Sequence, residues 1–67
     1  MRMGTVKSDL IAKLGHEGTT LRIEYRDGYT ADYFKVPFTT FKALVRSKHP
    51  GEDWLKLRGQ YDYKKAK

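Results

Sequence analysis

The chain contains no cysteine among its 67 residues, which excludes disulfide bonds and metal sites built on thiolates. It also lacks an apolar run near the ~20 residues that a membrane-spanning helix needs. The first four residues show no apolar region of the kind found in secretory signal peptides. We therefore expect a cytoplasmic protein with no membrane association, stabilised by one small apolar core.

Residue combinations typical of catalysis or metal binding are equally scarce. His16 and His49 are far apart in the sequence and each lies beside a predicted turn, which is not the spacing of a metal-binding pair. Glu52 and Asp53 stand at a predicted helix start, where the helix dipole already accounts for two carboxylates. The glycines are scattered and form no phosphate-binding loop. We expect no enzyme activity, no metal ion and no cofactor.

Positive charge is the dominant feature of the composition. The chain has 14 lysine and arginine residues against 8 acidic residues, a net charge of +6. Most of the excess lies in residues 29–67, which hold nine basic and four acidic groups. A basic domain suits polyanionic partners, although a basic surface also serves solubility alone.

The clearest structural pattern lies in residues 21–36, where apolar and polar side chains alternate on either side of Asp27-Gly28. This pattern predicts a β-hairpin with a two-residue type I′ turn. The predicted inner face buries Leu21, Ile23, Phe34 and Val36. The predicted open face presents Arg22, Arg26, Tyr29, Tyr33 and Lys35.

The segment before the hairpin fits two structures. Residues 8–17 are compatible with a helix that begins at Ser8 or Asp9 and with a strand. Gly15 and the Glu17-Gly18 pair favour the strand, because they place a turn directly before residue 19. No pattern marks residues 1–6, and we expect both these residues and the basic residues 64–67 to be flexible.

Two helices are predicted after the hairpin. Pro37 ends the sheet, and apolar residues at helical spacing over residues 38–47 predict a helix whose buried face carries Phe38, Phe41, Leu44 and Val45. A second, short helix is predicted over residues 52–58, with Gly59 as its stop. The predicted fold is α+β: a three-stranded antiparallel sheet with a helix packed on one face and a second short C-terminal helix, in one domain over residues 1–67.

Several sequence pieces, in this order, resemble the KTSC domain, a small module at the C-terminus of some lysyl-tRNA synthetases and a free-standing bacterial or phage protein. The pieces are Lys7-Ser8-x-Leu10-Ile11-Ala12, Leu14-Gly15, Thr20-Leu21-x-Ile23-x-Tyr25, Asp27-Gly28, Tyr33-Phe34-x-Val36-Pro37, Phe41 with Leu44, and Leu57-Arg58-Gly59-x-Tyr61-x-Tyr63. Together they span residues 7–63.

The resemblance implies a hairpin-plus-helix domain and suggests RNA binding. One departure concerns the Tyr-x-Tyr motif at the family's centre, which falls here on Ala31 and Tyr33, so that the first tyrosine is absent. Tyr29, two residues earlier on the same strand face, is a partial substitute.

Tyrosines interleaved with cations predict a surface for RNA or other single-stranded nucleic acid. Bases stack on tyrosine rings while arginine and lysine hold phosphates. The candidate residues are Arg22, Arg26, Tyr29, Tyr33, Lys35, Arg58, Tyr63, Lys64 and Lys65. In the competing interpretation, Tyr29 and Tyr33 lie opposite Arg26 and Arg22 and merely stabilise the sheet. For Trp54 and Tyr61 we expect a place in the core.

A protein-interaction module is the alternative function, for example a phage protein that docks on a larger complex and modulates a host enzyme. The hairpin edge or a surface around Phe41 and Trp54 would supply that contact. The sequence leaves the oligomeric state open.

Overall fold

The computed structural model describes residues 3–65, which form an α+β fold with a five-stranded antiparallel sheet and two α-helices. The strands are β1 (Met3–Thr5), β2 (Ile11–Glu17), β3 (Thr20–Tyr25), β4 (Thr30–Tyr33) and β5 (Tyr63–Lys65). The helices are α1 (Phe38–Arg46) and α2 (Pro50–Leu57), and a 3₁₀ turn (Arg58–Gln60) continues α2. Strand order across the sheet follows chain order. Both helices lie in the connection between β4 and β5.

The predicted α+β class and both helices are confirmed, but the prediction of three strands is wrong. The two missed strands are the edge strands β1 and β5, which pair with β2 and β4 respectively. Both strands are only three residues long and largely exposed, so neither has an alternating apolar pattern. Backbone hydrogen bonds to the neighbouring strand hold them in the sheet. The segments expected to be flexible thus contain strand residues, while residues 1–2 and 66–67 lie outside the described range.

Of residues 8–17, Ile11–Glu17 form strand β2, as the glycine argument favoured, and Ser8 caps no helix. The Ser8 Oγ instead accepts hydrogen bonds from the backbone N–H groups of Leu10 and Ile11, at 3.1 and 3.2 Å. A register shift between Ile11 and Lys13 marks a β-bulge in β2. The bulge explains why Ile11 and Leu14, three positions apart, both point into the core.

The predicted hairpin exists, but its register is shifted by one residue. Gly28 has φ +99°, and its N–H donates to the Tyr25 carbonyl. The Tyr25 N–H donates to the Tyr29 carbonyl. The connection is therefore a three-residue loop of residues 26–28, with glycine at the left-handed position, and not a two-residue turn. Because side chains alternate along a strand, a shift of one residue exchanges the two faces of β4.

This shift overturns the predicted burial of part of β4 and the turn after it. Tyr33 pairs with Leu21 and is only 4% exposed, whereas Phe34 is 38% exposed. The interpretation that placed Tyr33 opposite Arg22 and Tyr29 opposite Arg26 is wrong for the same reason. The predicted burial of Leu21, Ile23 and Val36 is confirmed.

The core lies between the sheet and the two helices. Its fully buried side chains come from β2, β3, the β4–α1 turn and both helices: Ile11, Leu14, Leu21, Ile23, Val36, Leu44 and Trp54. Trp54 is 0% exposed, which confirms its predicted place in the core. Tyr61, also expected there, is half-buried and stacks on Trp54 with a centroid distance of 6.0 Å.

Helix α1 buries less of its apolar face than the sequence pattern predicts. Leu44 is buried and Phe41 half-buried, but Phe38 and Val45 are 54% and 49% exposed. The helix is short and only part of its apolar stripe reaches the sheet. Within residues 3–65 neither helix combines the length and the apolar character needed to cross a bilayer.

Candidate functional site

A groove of about 740 Å³ opens between the β4–β5 side of the sheet and the end of α2. All five tyrosines of the chain line it: Tyr25, Tyr29, Tyr33, Tyr61 and Tyr63. Among the described residues, its charged lining consists of Asp27, Arg58 and Lys65. We call this feature the tyrosine groove. It lies on the helix side of the sheet, since Tyr63 and Lys65 pair with the buried residues Tyr33 and Ala31.

The floor of the tyrosine groove is a hydrogen-bonded aromatic cluster. The Trp54 Nε1–H donates to the Tyr25 hydroxyl at 3.1 Å, and the hydroxyls of Tyr25 and Tyr33 are hydrogen-bonded at 2.7 Å. The Tyr33 and Trp54 rings meet edge to face at 4.7 Å. Because its polar atoms are hydrogen-bonded and its rings pack against one another, this cluster forms part of the core.

The rim of the groove is open to solvent. Tyr29 is 48% exposed and Tyr63 is 65% exposed. The Lys65 Nζ lies 4.1 Å from the centroid of the Tyr29 ring, a cation–π contact. Tyr63 lies 5.3 Å from Tyr33, centroid to centroid. The rim thus offers two accessible aromatic rings with a cation on one of them.

The opposite, open face of the sheet is not the tyrosine and arginine platform that the sequence predicted. Pairing places three cations and three anions of the strands there: Lys13, Arg22, Lys64, Glu17, Glu24 and Asp32. None of the described strand residues on that face is aromatic. Its charges balance, so this face has little attraction for a polyanion.

Arg22, one of the predicted binding residues, is held by a carboxylate on the open face. Its Nε and Nη2 donate to the two carboxylate oxygens of Asp32 at 2.7 and 3.0 Å. This hydrogen bonding lowers the pKa of Asp32 and raises that of Arg22. The bidentate pair occupies the guanidinium edge that would otherwise bind a phosphate.

The other predicted binding residues divide between the groove and the rest of the surface. Tyr29, Tyr33, Arg58, Tyr63 and Lys65 line the tyrosine groove, with Tyr33 at its floor. Arg26, Lys35 and Lys64 do not line it. The Arg26 Nε donates to the Ser8 carbonyl at 2.5 Å, Lys35 occupies the turn after β4 with φ 58°, and Lys64 pairs opposite Asp32.

The surfaces predicted for a protein contact also need correction. Trp54 is fully buried and presents no surface with Phe41. The β3–β4 hairpin has no free edge, because β3 pairs with β2 and β4 pairs with β5.

Two of the groove tyrosines, Tyr25 and Tyr61, were not among the predicted binding residues. The signal for Tyr25 was its parity with Leu21 and Ile23, which places it on the helix side of β3. No local signal identifies Tyr61 as a groove residue, since its position depends on how the chain returns to β4 after α2.

Residues 3–65 contain no cluster of three or more histidine, aspartate or glutamate side chains able to hold a metal ion. His16 hydrogen-bonds through Nε2 to the Val36 carbonyl at 2.7 Å and contacts Phe38 and Phe41. These contacts give His16 a structural role at the sheet–α1 junction.

The buried Tyr33 predicts a loss of stability at alkaline pH. Burial, aided by the hydrogen bond to Tyr25, raises the pKa of Tyr33 above its ordinary value of about 10. The folded state then holds the phenolic proton more tightly than the unfolded state, so this stability is present below pH ~10 and falls as the pH rises further. Urea midpoints measured between pH 8 and pH 11 should fall more steeply for the wild type than for Tyr33→Phe. Equal losses in the two proteins would contradict the prediction.

Comparison with known proteins identifies the fold family. The KTSC domain family model matches residues 7–52, which is more than half of the chain. The match includes β2, β3, β4 and α1 and the start of α2, and stops before the residues that complete the tyrosine groove. A comparison with curated proteins found no match. The chain belongs to the KTSC domain family.

Proposed function

We propose that the chain is a non-enzymatic binding module for single-stranded nucleic acid, with RNA as the first candidate, and that the tyrosine groove is its binding site. One observation carries the proposal: the accessible rings of Tyr29 and Tyr63 share one groove with Arg58 and Lys65. Exposed aromatic rings next to cations are what single-strand binding requires, because bases stack on rings while cations neutralise phosphates.

The rim supplies both parts of this chemistry. A base stacked on Tyr29 or Tyr63 would bury aromatic surface that now faces solvent. The Lys65 ammonium, which lies on the Tyr29 ring, would contact the phosphate of a stacked nucleotide. Arg58 is exposed and provides a second cation on the α2 side. The open face of the sheet plays no part in this proposal, since its charges balance.

Substitution of the rim tyrosines tests the proposal. Tyr29→Ala and Tyr63→Ala are each expected to weaken binding of a fluorescein-labelled single-stranded RNA by roughly 5-fold to 150-fold, since one stacked base contributes about 1–3 kcal/mol. Fluorescence anisotropy at low and moderate salt measures the effect, and affinity should fall steeply with salt.

Phe38→Ala is the matched control, because Phe38 is an equally exposed aromatic residue that does not line the groove. Lys65→Gln should reduce affinity and the salt dependence, whereas Lys13→Gln on the open face should change neither. Undetectable binding of the wild type to RNA and DNA single strands at low salt would overturn the proposal. Equal losses for Phe38→Ala and Tyr29→Ala would also do so.

A further inference from the structure

The edge strand β1 presents unpaired backbone groups. Within residues 3–65, β1 pairs with β2 alone, in a register that places Gly4 opposite Leu14 and Thr5 opposite Lys13. In the same register the Val6 N–H donates to the Ala12 carbonyl at 3.3 Å. Hydrogen-bonded pairs alternate along an antiparallel ladder, so the N–H and C=O of Thr5 point away from β2. A free edge of this kind can accept another strand.

A small groove runs beside this edge, between β1 and α1. Its volume is about 250 Å³, and the apolar side chains that line it are Val6, Leu14, Phe41 and Val45. Gly4 keeps it open, because it adds no side chain on the helix side of β1. Of the atoms in residues 3–65, a Cβ at Gly4 would contact only the Leu14 carbonyl oxygen, at 3.9 Å. The groove has room for an aliphatic side chain from outside.

The charged side chains that line this groove are positive. Among residues 3–65 they are Lys42 and Arg46. Between Asp32 and Glu52 the sequence has no acidic residue, and its four cations there are Lys35, Lys42, Arg46 and Lys48. A segment that docks beside α1 is therefore favoured if it carries carboxylates.

We propose that the free edge of β1 and the groove beside it bind an extended acidic peptide segment of a partner protein. The segment adds a sixth strand to the sheet, hydrogen-bonded to Thr5. It places one aliphatic side chain in the groove next to Gly4 and sets carboxylates opposite Lys42 and Arg46. This site lies at the sheet edge opposite β5 and the tyrosine groove, so the chain can hold a peptide and a second ligand at the same time.

A synthetic peptide with alternating faces is the direct probe. The peptide Thr-Glu-Thr-Val-Thr-Glu-Thr carries glutamate, valine and glutamate on one face of an extended strand. Titrated into the ¹⁵N-labelled chain, it is expected to bind saturably and to shift the amide signals of Thr5, Phe41 and Val45. The same peptide with lysine in place of glutamate should bind about tenfold more weakly or not at all, a factor that corresponds to about 1.4 kcal/mol.

Two variants on β1 test the groove and the edge separately. Gly4→Val fills the groove, and Thr5→Pro removes the outward N–H, a change that edge strands tolerate. Each should weaken binding of the glutamate peptide by about tenfold, the same 1.4 kcal/mol. Thr30→Val is the matched control, because it exchanges threonine for valine on the open face of β4, which does not pair with β1. It should bind as the wild type does.

A charge exchange provides a test that does not depend on β1. Lys42→Glu combined with Arg46→Glu changes two exposed side chains and should transfer the preference from the glutamate peptide to the lysine peptide. Equal binding of the two peptides by the wild type would overturn the proposal, as would full affinity in Gly4→Val and Thr5→Pro.

Two results that identify a different occupant of the edge would also contradict the proposed binding of an acidic peptide. A dimer of the wild type in sedimentation that Gly4→Val abolishes would identify a second copy as the occupant. Binding to phosphatidylserine vesicles that is lost in the double glutamate variant, without binding of the peptide, would identify an anionic lipid surface.

Discussion

Trp54→Ala is expected to lower the free energy of unfolding by about 3–5 kcal/mol. The side chain is fully buried, meets Tyr33 edge to face, stacks on Tyr61 and donates to the Tyr25 hydroxyl. Its removal leaves a cavity under the tyrosine groove. At roughly 0.05–0.15 kcal/mol per residue a chain of this size has about 3–10 kcal/mol of stability in total, so most of it would be lost.

Urea denaturation followed by far-ultraviolet circular dichroism measures this loss, since the variant lacks the only tryptophan of the chain. Leu55→Ala is the matched control on the next position of α2, where the side chain is 49% exposed. It should change the free energy of unfolding by less than about 0.5 kcal/mol. Comparable losses in the two variants would show that the aromatic cluster is not the main part of the core.

Gly51→Ala is expected to destabilise the chain by about 1–3 kcal/mol, although alanine is normally the better helix residue. A Cβ on Gly51 would lie 2.7 Å from the Ser8 Oγ and 3.1 Å from the Leu10 Cβ. The serine oxygen cannot move away freely, because it accepts hydrogen bonds from the backbone of Leu10 and Ile11. Either the bonds at the start of β2 or the position of α2 must change.

Gly59→Ala is the matched control for this substitution. No atom of the described residues lies within 4 Å of a Cβ built on Gly59, and the φ of Gly59 is not in the left-handed region. Its substitution should be neutral or stabilise the chain by up to about 1 kcal/mol through the unfolded state. Thermal unfolding of both variants distinguishes the two outcomes, and a gain in stability for Gly51→Ala would contradict the predicted close contact.

The elements that the sequence predicts best are those with a local periodic pattern. Strand β3 and the position of α1 follow from residues close together in the chain. The burial of Trp54 was predicted differently, from the need of so small a core for every aromatic side chain. The hairpin was predicted at the correct place but with the wrong register, because an Asp-Gly pair is compatible with both a two-residue turn and a three-residue loop. That single shift moved Tyr33 from the surface to the core.

The candidate site was predicted only in part, since it is assembled from distant segments. Tyr29 and Tyr63 were predicted as binding residues because they are aromatic and lie near basic residues in the sequence. Their common groove depends on β5 pairing with β4, and β5 has no pattern of its own that predicts this pairing. The predicted open-face surface failed because Arg22 is paired with Asp32, a contact that needs the correct register.

The position of β5 at the end of the chain has a kinetic and thermodynamic consequence. Strands β1 to β4 follow one another in the sheet, so each of their ladders closes a short loop, whereas the β4–β5 ladder closes a loop that contains both helices. Closing a longer loop costs more chain entropy, and the last ladder therefore forms late and opens first. A ligand that bridges Tyr29 and Tyr63 binds only the closed form. Its binding energy consequently adds to the stability of the C-terminal strand and couples occupancy of the groove to the completion of the sheet.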